Sequence, residues 1–217
     1  MTATYSLRPA TTVDIPTLMA LRTEAEHWLA SKDTDQWSDQ ETGSRAIEKW
    51  HASIAEGRTW AVLSPRDDVV ATVSRGPADT DFWRTEDGPE DALYVYKLIV
   101  ARSEAGIGLG GGILTWLDRL AAWEGRRWIR LDVWRTNEKL QRYYQEQGFV
   151  HVRTEAPAHR KSGWLGQRPV HPGDGLHTLV GDNGKLVIGA SVGIPHPSSR
   201  PLSLGSRMDA NIRRLQH

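Results

Sequence analysis

Cysteine is absent from all 217 residues, which removes disulfide bracing, a thiol nucleophile and a zinc–thiolate centre from consideration. Charge of one sign is not in excess either. Twenty-seven basic side chains balance 27 acidic ones, so no global field draws the chain to nucleic acid or an anionic membrane, and any charge logic must be local. No stretch approaches the roughly 20 apolar residues that span a bilayer, and the opening MTATYSLRPATTVD has no apolar signal region. A cytoplasmic protein without a nucleic-acid or membrane partner is expected. Internal repeats and heptads are missing, and the eight histidines are scattered, so no metal is expected. What remains, 39% hydrophobic residues, is enough for a core.

Periodicity orders the chain. Tyr5 to Leu7 suits a short strand, and Asp14 with Pro16 opens a helix whose Leu18, Leu21, Ala25 and Trp28 share a face. A second helix is expected near Glu41 to Ala55, with Ile47, Trp50 and Ile54 at helical spacing. Arg58 to Leu63 and Val69 to Ser74 read as a hairpin, and LYVYKLIV, Leu93 to Val100, as a strong strand. Helix, strand and helix follow, the first with Ile113, Leu117, Leu120 and Ala121 inward and Asp118 and Glu124 off the buried face. Trp128 to Val133 is the next strand, Asn137 to about Gln147 the last helix, and Phe149 to Arg153 with Gly163 to Arg168 a closing pair. This order implies a mixed sheet covered by helices. Past Val170 the composition shifts, with a possible hairpin at Asn183-Gly184 and then a Pro- and Ser-rich basic tail.

Five glycines crowd EAGIGLGGGI between strand and helix. A strand that ends in bare backbone and starts a helix exposes N–H groups at the positive helix end, an anion site; close packing against a neighbour is the structural alternative. Gly106, Gly108 and Gly111 also satisfy a dinucleotide fingerprint, with Asp132 downstream as its acid. However, Ala101 to Ala105 separate these glycines from the strand. A triphosphate P-loop fits worse still, because Gly112 and Ile113 stand where Lys and Ser or Thr belong.

NEKLQRYYQEQGF, Asn137 to Phe149, supplies an Asn at a helix start, a Tyr near its end and a Gly-Phe exit. Together with LIV, AGIGLGGGIL and RLDVW it resembles the Gcn5-related N-acetyltransferase (GNAT) family. The resemblance implies an α/β fold with a mixed, mostly antiparallel sheet splayed between strands 4 and 5, over residues 1–170, with 171–217 as an extension. It implies acetyl-CoA as cosubstrate. Gly106, Ile107, Gly108, Leu109, Gly110 and Gly111 would hold the pyrophosphate, Leu98, Ile99 and Val100 the pantetheine arm, and Asn137 a further cofactor contact. The motif R/Q-x-x-G-x-G/A begins here with Ala105 in place of Arg or Gln. Asn137 also reads as a helix N-cap. Adjacent Tyr143 and Tyr144 point to different sides of their helix, and the resemblance selects Tyr144 as the acid for the leaving thiolate.

The implied reaction is direct acetyl transfer to a small-molecule or peptide amine, with a backbone N–H near Ile99 facing the developing oxyanion. For the base, Glu24, Glu26, Glu90, Asp91, Asp132 and a water relay stand open. The acidic stretch from Asp79 to Asp91 is expected to attract a cationic amine, and Trp28 and Trp37 could wall an acceptor pocket. A homodimer is possible. An acyl-CoA-binding sensor and a dinucleotide-binding oxidoreductase are the alternative readings.

Overall fold

The computed structural model describes residues 3–31, 41–171 and 185–188. The Asn183-Gly184 hairpin, the Pro- and Ser-rich end and Trp37 lie outside the described residues. The elements run β1 (Ala3–Pro9), α1 (Ile15–Ala30), α2 (Glu41–Ala55), β2 (Thr59–Leu63), β3 (Val69–Gly76), β4 (Ala92–Val100), α3 (Leu109–Trp123), β5 (Trp128–Trp134), α4 (Glu138–Glu146), β6 (Val150–Thr154), β7 (Ser162–Pro169) and β8 (Lys185–Ile188). They form one sheet in the order β6-β7-β5-β4-β3-β2-β1-β8. Every pairing is antiparallel except β4 with β5. The mixed, mostly antiparallel sheet flanked by helices is therefore present. Its eighth strand comes from beyond residue 170, where Lys185–Ile188 covers the outer edge of β1.

Successive strand residues face opposite ways, and that alternation sorts the helices. The Thr59 hydroxyl donates to the Ser53 hydroxyl of α2 at 2.8 Å, while the next residue, Trp60, packs its ring edge-on to Trp116 of α3 at 5.1 Å. So α2 and α3 cover opposite faces. The core takes Leu18 and Leu21 from α1, Trp50 from α2, and Ile113, Leu117 and Ala121 from α3. Two positions expected on inward faces stay outside it: Trp28 and Ile47 are exposed.

Asp118, expected off the buried face of α3, is buried. The Arg168 guanidinium from β7 meets its carboxylate at 2.6 Å and also donates to Leu114 O and Gln147 O, tying α3, α4 and β7 together. A buried acid survives only with such a partner, which strand and helix patterns taken separately do not reveal.

Two irregularities open the sheet. The β4–β5 ladder covers only Ala92, Leu93 and Tyr94 against Trp128, Ile129 and Arg130, after which the strands part. Further along β4 the register with β3 slips, with Thr72 opposite Ile99 but Ser74 opposite Tyr96. This places Lys97 and Leu98 together against Val73, a β-bulge, and Lys97 takes the left-handed backbone (φ 50°) that the extra residue requires. Among the described residues, no helix is long and apolar enough to cross a membrane.

Candidate active site

The parting of β4 and β5 creates a cleft of about 640 Å³. Leu98 and Ile99 of β4, Leu131 and Val133 of β5 and Leu140 of α4 give it apolar walls, and Asp132, Tyr96 and Tyr144 bring polar groups to it.

Beyond β4 the chain makes a short 3-10 turn, Arg102–Glu104, before the glycines. That turn is anchored from two sides. The Tyr5 hydroxyl donates to Glu104 at 2.6 Å, which pushes the phenol up to about 12, and the Arg102 N–H donates to Glu24 at 3.0 Å. Arg102 also lies 4.1 Å over the exposed ring of Trp28, so Trp28 supports the turn and does not line the cleft. Gly106 (φ 84°) and Gly108 (φ 87°) adopt left-handed conformations with open space where a Cβ would stand, and Gly108 caps α3. The N–H groups from Gly106 through Gly111 have no acceptor among the described residues, whereas Gly112 N–H closes the first helical turn on Gly108 O. Unpaired donors at the positive end of a 15-residue helix fit a phosphate group.

Gly110 and Gly111 have a different reason to be glycine. A Cβ at Gly110 would collide with the Tyr143 hydroxyl, and one at Gly111 would stand 2.7 Å from Gln147 Oε1. The loop thus has two parts: its first is open with unpaired N–H groups, and its second lets α4 approach α3.

Helix α4 begins at Asn137, whose side-chain oxygen accepts the Leu140 N–H at 3.0 Å, the expected N-cap. From there the two tyrosines diverge. Tyr143 lies against the first turn of α3, while Tyr144 lines the cleft with its ring edge-on to Tyr143 and Phe149. Burial, then the neighbouring Tyr143 and Asp132, push the Tyr144 phenol well above its ordinary pKa, so its proton stays on.

Of the five carboxylates considered as base, Asp132 is the one in the cleft. Burial raises its pKa, opposed by a hydrogen bond to Ser162 and by Arg160. The others are engaged elsewhere or exposed: Glu24 on Arg102 N–H, Glu26 on Arg22, Asp91 on Arg127, with Glu90 at the surface.

Two expectations are corrected. Ala101 N–H donates to Val70 O at 2.8 Å, and strand alternation sends the Ile99 N–H the same way, toward β3; Val100 N–H faces the gap instead. Beside Ile99, regular pairing with β3 is also interrupted at the Lys97–Leu98 bulge. The acidic stretch, moreover, is not wholly a free negative surface. Asp79 and Asp81 hold Arg160 at 2.7 and 2.6 Å, and Asp87 holds Arg153 at 2.6 Å. Three of its six carboxylates pin the β6–β7 end of the sheet, while Asp91 meets Arg127 at 3.5 Å and Glu86 and Glu90 are exposed.

The periodicity reading treated Trp50 and Lys97 as a core residue and a strand residue. Both line the cleft, with Lys97 Nζ 4.9 Å from the Trp50 ring centroid. Neither helix spacing nor strand alternation signals this, because the bulge that turns Lys97 depends on the pairing of β3 with β4.

The acetyltransferase (GNAT) family profile matches residues 22–149, more than half of the chain. The uncharacterized N-acetyltransferase YesJ of Bacillus subtilis (strain 168) is 28% identical over 151 residues, 68% of this chain and 83% of that one. Among solved structures, a GNAT-family acetyltransferase from Listeria monocytogenes 4b F2365 superposes with a TM-score of 0.62 at 24% identity, covering 76% of this chain and 94% of its own. The PaiA N-acetyltransferase of Thermoplasma acidophilum, solved in complex with coenzyme A, gives a TM-score of 0.57 at 14% identity over 76% and 98% of the two chains. A sheet that parts between β4 and β5, an open glycine loop following β4 and a profile match spanning both lead to one assignment: the chain belongs to the acetyltransferase (GNAT) family.

Proposed function

We propose that the chain is an acetyl-CoA-dependent N-acetyltransferase that moves the acetyl group directly to a primary amine. The observation that carries this is the meeting of Tyr144 and Asp132 in one cleft between β4 and β5, with unpaired backbone donors on the loop that follows β4. The N–H groups of Gly106 to Gly111 would hold the pyrophosphate, and the gap-facing edge of β4 would hold the pantetheine arm, with Asn137 at the start of α4 as a further contact. The open space over Gly106 and Gly108 suits such a group. Acetyl-CoA, when bound, supplies an activated acetyl thioester.

The residues of this chain then divide the work. Asp132, whose carboxyl is raised by burial, accepts a proton from the acceptor ammonium directly or through water, leaving the amine neutral and nucleophilic. A backbone N–H at the Lys97–Leu98 bulge donates to the acyl oxygen as it gains negative charge. Tyr144 keeps its proton and donates toward the departing sulfur. No cysteine exists to form an acyl-enzyme, so transfer is direct. The acetyltransferase unit is residues 1–170.

The test is release of free thiol from acetyl-CoA across a panel of primary amines, alongside calorimetric titration of coenzyme A. Turnover with any amine supports the reading. Coenzyme A binding without turnover across the panel would favour an acyl-CoA sensor, and tighter binding of NADH than of acetyl-CoA would favour the oxidoreductase.

A further inference from the structure

Charge is distributed unevenly around the cleft. Asp132 and Tyr144 enter from β5 and α4, whereas Arg22 of α1, Lys49 of α2, Arg58 ahead of β2 and Lys97 at the β4 bulge line it as well; Asp79 and Arg75 also line it, held by Arg160 and by Glu124. Arg22 holds Glu26 at 2.6 Å and Arg58 holds Glu56, and neither of those glutamates lines the cleft. Lys49 and Lys97 have no carboxylate partner among the described residues. Burial first, then Lys49, Arg22 and Arg58, press the Lys97 ammonium down to about 8, with no acidic group of the described residues among the causes. Its nearest compensation is the face of Trp50, itself buried with an indole N–H that finds no acceptor.

Like charges gathered in a half-dry cleft repel one another and are costly unless something negative joins them. The glycine loop already provides a place for the phosphates of the cosubstrate, so this wall is left for the other reactant. A carboxylate or phosphonate seated between Lys97 and Lys49 would offset the repulsion, and the four cations would bind it with charge-assisted hydrogen bonds. Of the acids in the stretch from Asp79 to Asp91, only Asp79 lines the cleft, and Arg160 holds it at 2.7 Å.

Resting on the N-acetyltransferase reading and deepening it, we propose that the acceptor is an amine that also carries an anionic oxygen group, an amino carboxylate or aminophosphonate. Lys97 and Lys49 hold its anionic end, with Arg22 and Arg58 behind them, and its amine points to Asp132 and Tyr144. The bulge is then a specificity device. It turns Lys97 into the acceptor cavity, and the two ends of the acceptor are read by opposite charges on opposite walls.

The experiment compares amino carboxylates and aminophosphonates with their own neutral amides or esters and with polyamines, using thiol release at saturating acetyl-CoA. The acids should show kcat/KM at least about tenfold higher than their neutral partners, the size expected for losing a hydrogen bond to a charged group. Lys97→Gln should raise KM for the acidic acceptor by at least about tenfold and abolish the preference, without altering KM for acetyl-CoA. Lys97→Glu should shift the preference toward cationic amines. Faster turnover of amides or polyamines by the wild type, or an unchanged preference in Lys97→Gln, overturns the proposal. A second arm needs no turnover: calorimetric titration of glutarate into the coenzyme A-saturated protein. Binding at least about tenfold weaker in Lys97→Gln supports the anion site even if every amine proves inert, an outcome that would remove the N-acetyltransferase reading alone; equal binding overturns the site.

Discussion

Replacing Tyr144 by Phe removes one oxygen from a ring that otherwise keeps its packing on Tyr143 and Phe149. The size of the effect depends on how the hydroxyl acts. Full general acid catalysis contributes about 10² to 10⁴-fold and is best when the acid's pKa lies near the working pH. Tyr144 is far from that condition, since burial, Tyr143 and Asp132 all drive its pKa up, whereas a thiol titrates near 8.5. A phenol this weak does not hand its proton fully to a thiolate. It donates a hydrogen bond to the sulfur as negative charge gathers there, and a hydrogen bond to a charged group is worth about 1.5 to 3 kcal/mol. At about 1.4 kcal/mol per decade, kcat should fall about 10- to 150-fold, while the affinity for acetyl-CoA stays near that of the wild type. Tyr143→Phe serves as the control because its hydroxyl abuts Gly110, not the cleft. Single-turnover rates with calorimetric Kd values make the comparison. An unchanged kcat would sink the role of Tyr144. A loss near 10⁴-fold would refute the hydrogen-bond argument and restore complete proton transfer.

Asp14 holds both terminal nitrogens of Arg8 at 2.7 Å and is lowered to about 2, first by that guanidinium. A lowered carboxylate stabilises the fold above about pH 4 and loses that contribution as pH falls toward 2. Solvent screening on the partly exposed Arg8 side trims its worth to about 1–2 kcal/mol, so Asp14→Asn should lower urea stability by that amount at pH 6 and by almost nothing at pH 2. Gly110→Ala should cost about 1–3 kcal/mol by overpacking against Tyr143. Combining it with Tyr143→Phe should recover at least about 0.5 kcal/mol in a double-mutant cycle; strict additivity would place the clash elsewhere. Arg168→Met, which strands the Asp118 carboxylate, should destabilise by about 3–5 kcal/mol in denaturant unfolding, and a loss below 1 kcal/mol would show that water reaches the pair. A chain ending at His171 should fold and bind coenzyme A, because β8 is an edge strand at the far end of the sheet from the β4–β5 gap, yet self-associate through the uncovered edge of β1, which light scattering would detect. Failure to fold would make β8 part of the core.

The elements were legible where local chemistry decides them. β-Branched and aromatic residues mark β4 and β5, Pro16 marks the start of α1, and Gly148 follows the end of α4. Tyr144 was legible as one of two adjacent rings, and the glycine loop as bare backbone. What escaped the sequence depends on partners distant along the chain. Asp118 is buried only because Arg168 arrives 50 residues later, and Asp79, Asp81 and Asp87 of the acidic stretch are paired only because Arg153 and Arg160 return to them. Lys97 enters the cleft because Val73 on another strand faces two residues instead of one. Each of these is a property of pairing, and periodicity along one strand or helix carries no record of it.

The three-residue seam between β4 and β5 leaves two strand flanks that face each other without touching, running from Val95 to Val100 and from Leu131 to Trp134. Exposed flanks of this kind ordinarily invite other chains to add on, and proteins guard against that with charge or proline. Here the flanks wall a cleft of about 640 Å³. An incoming peptide strand needs about 4.7–4.9 Å of clearance on each side and room for its side chains, whereas a slender, unbranched molecule needs neither. Such a molecule, once seated, acts as a missing strand and joins two half-sheets into one. Apparent stability then rises with the logarithm of its concentration, so the thermal midpoint of this chain reports how full the cleft is.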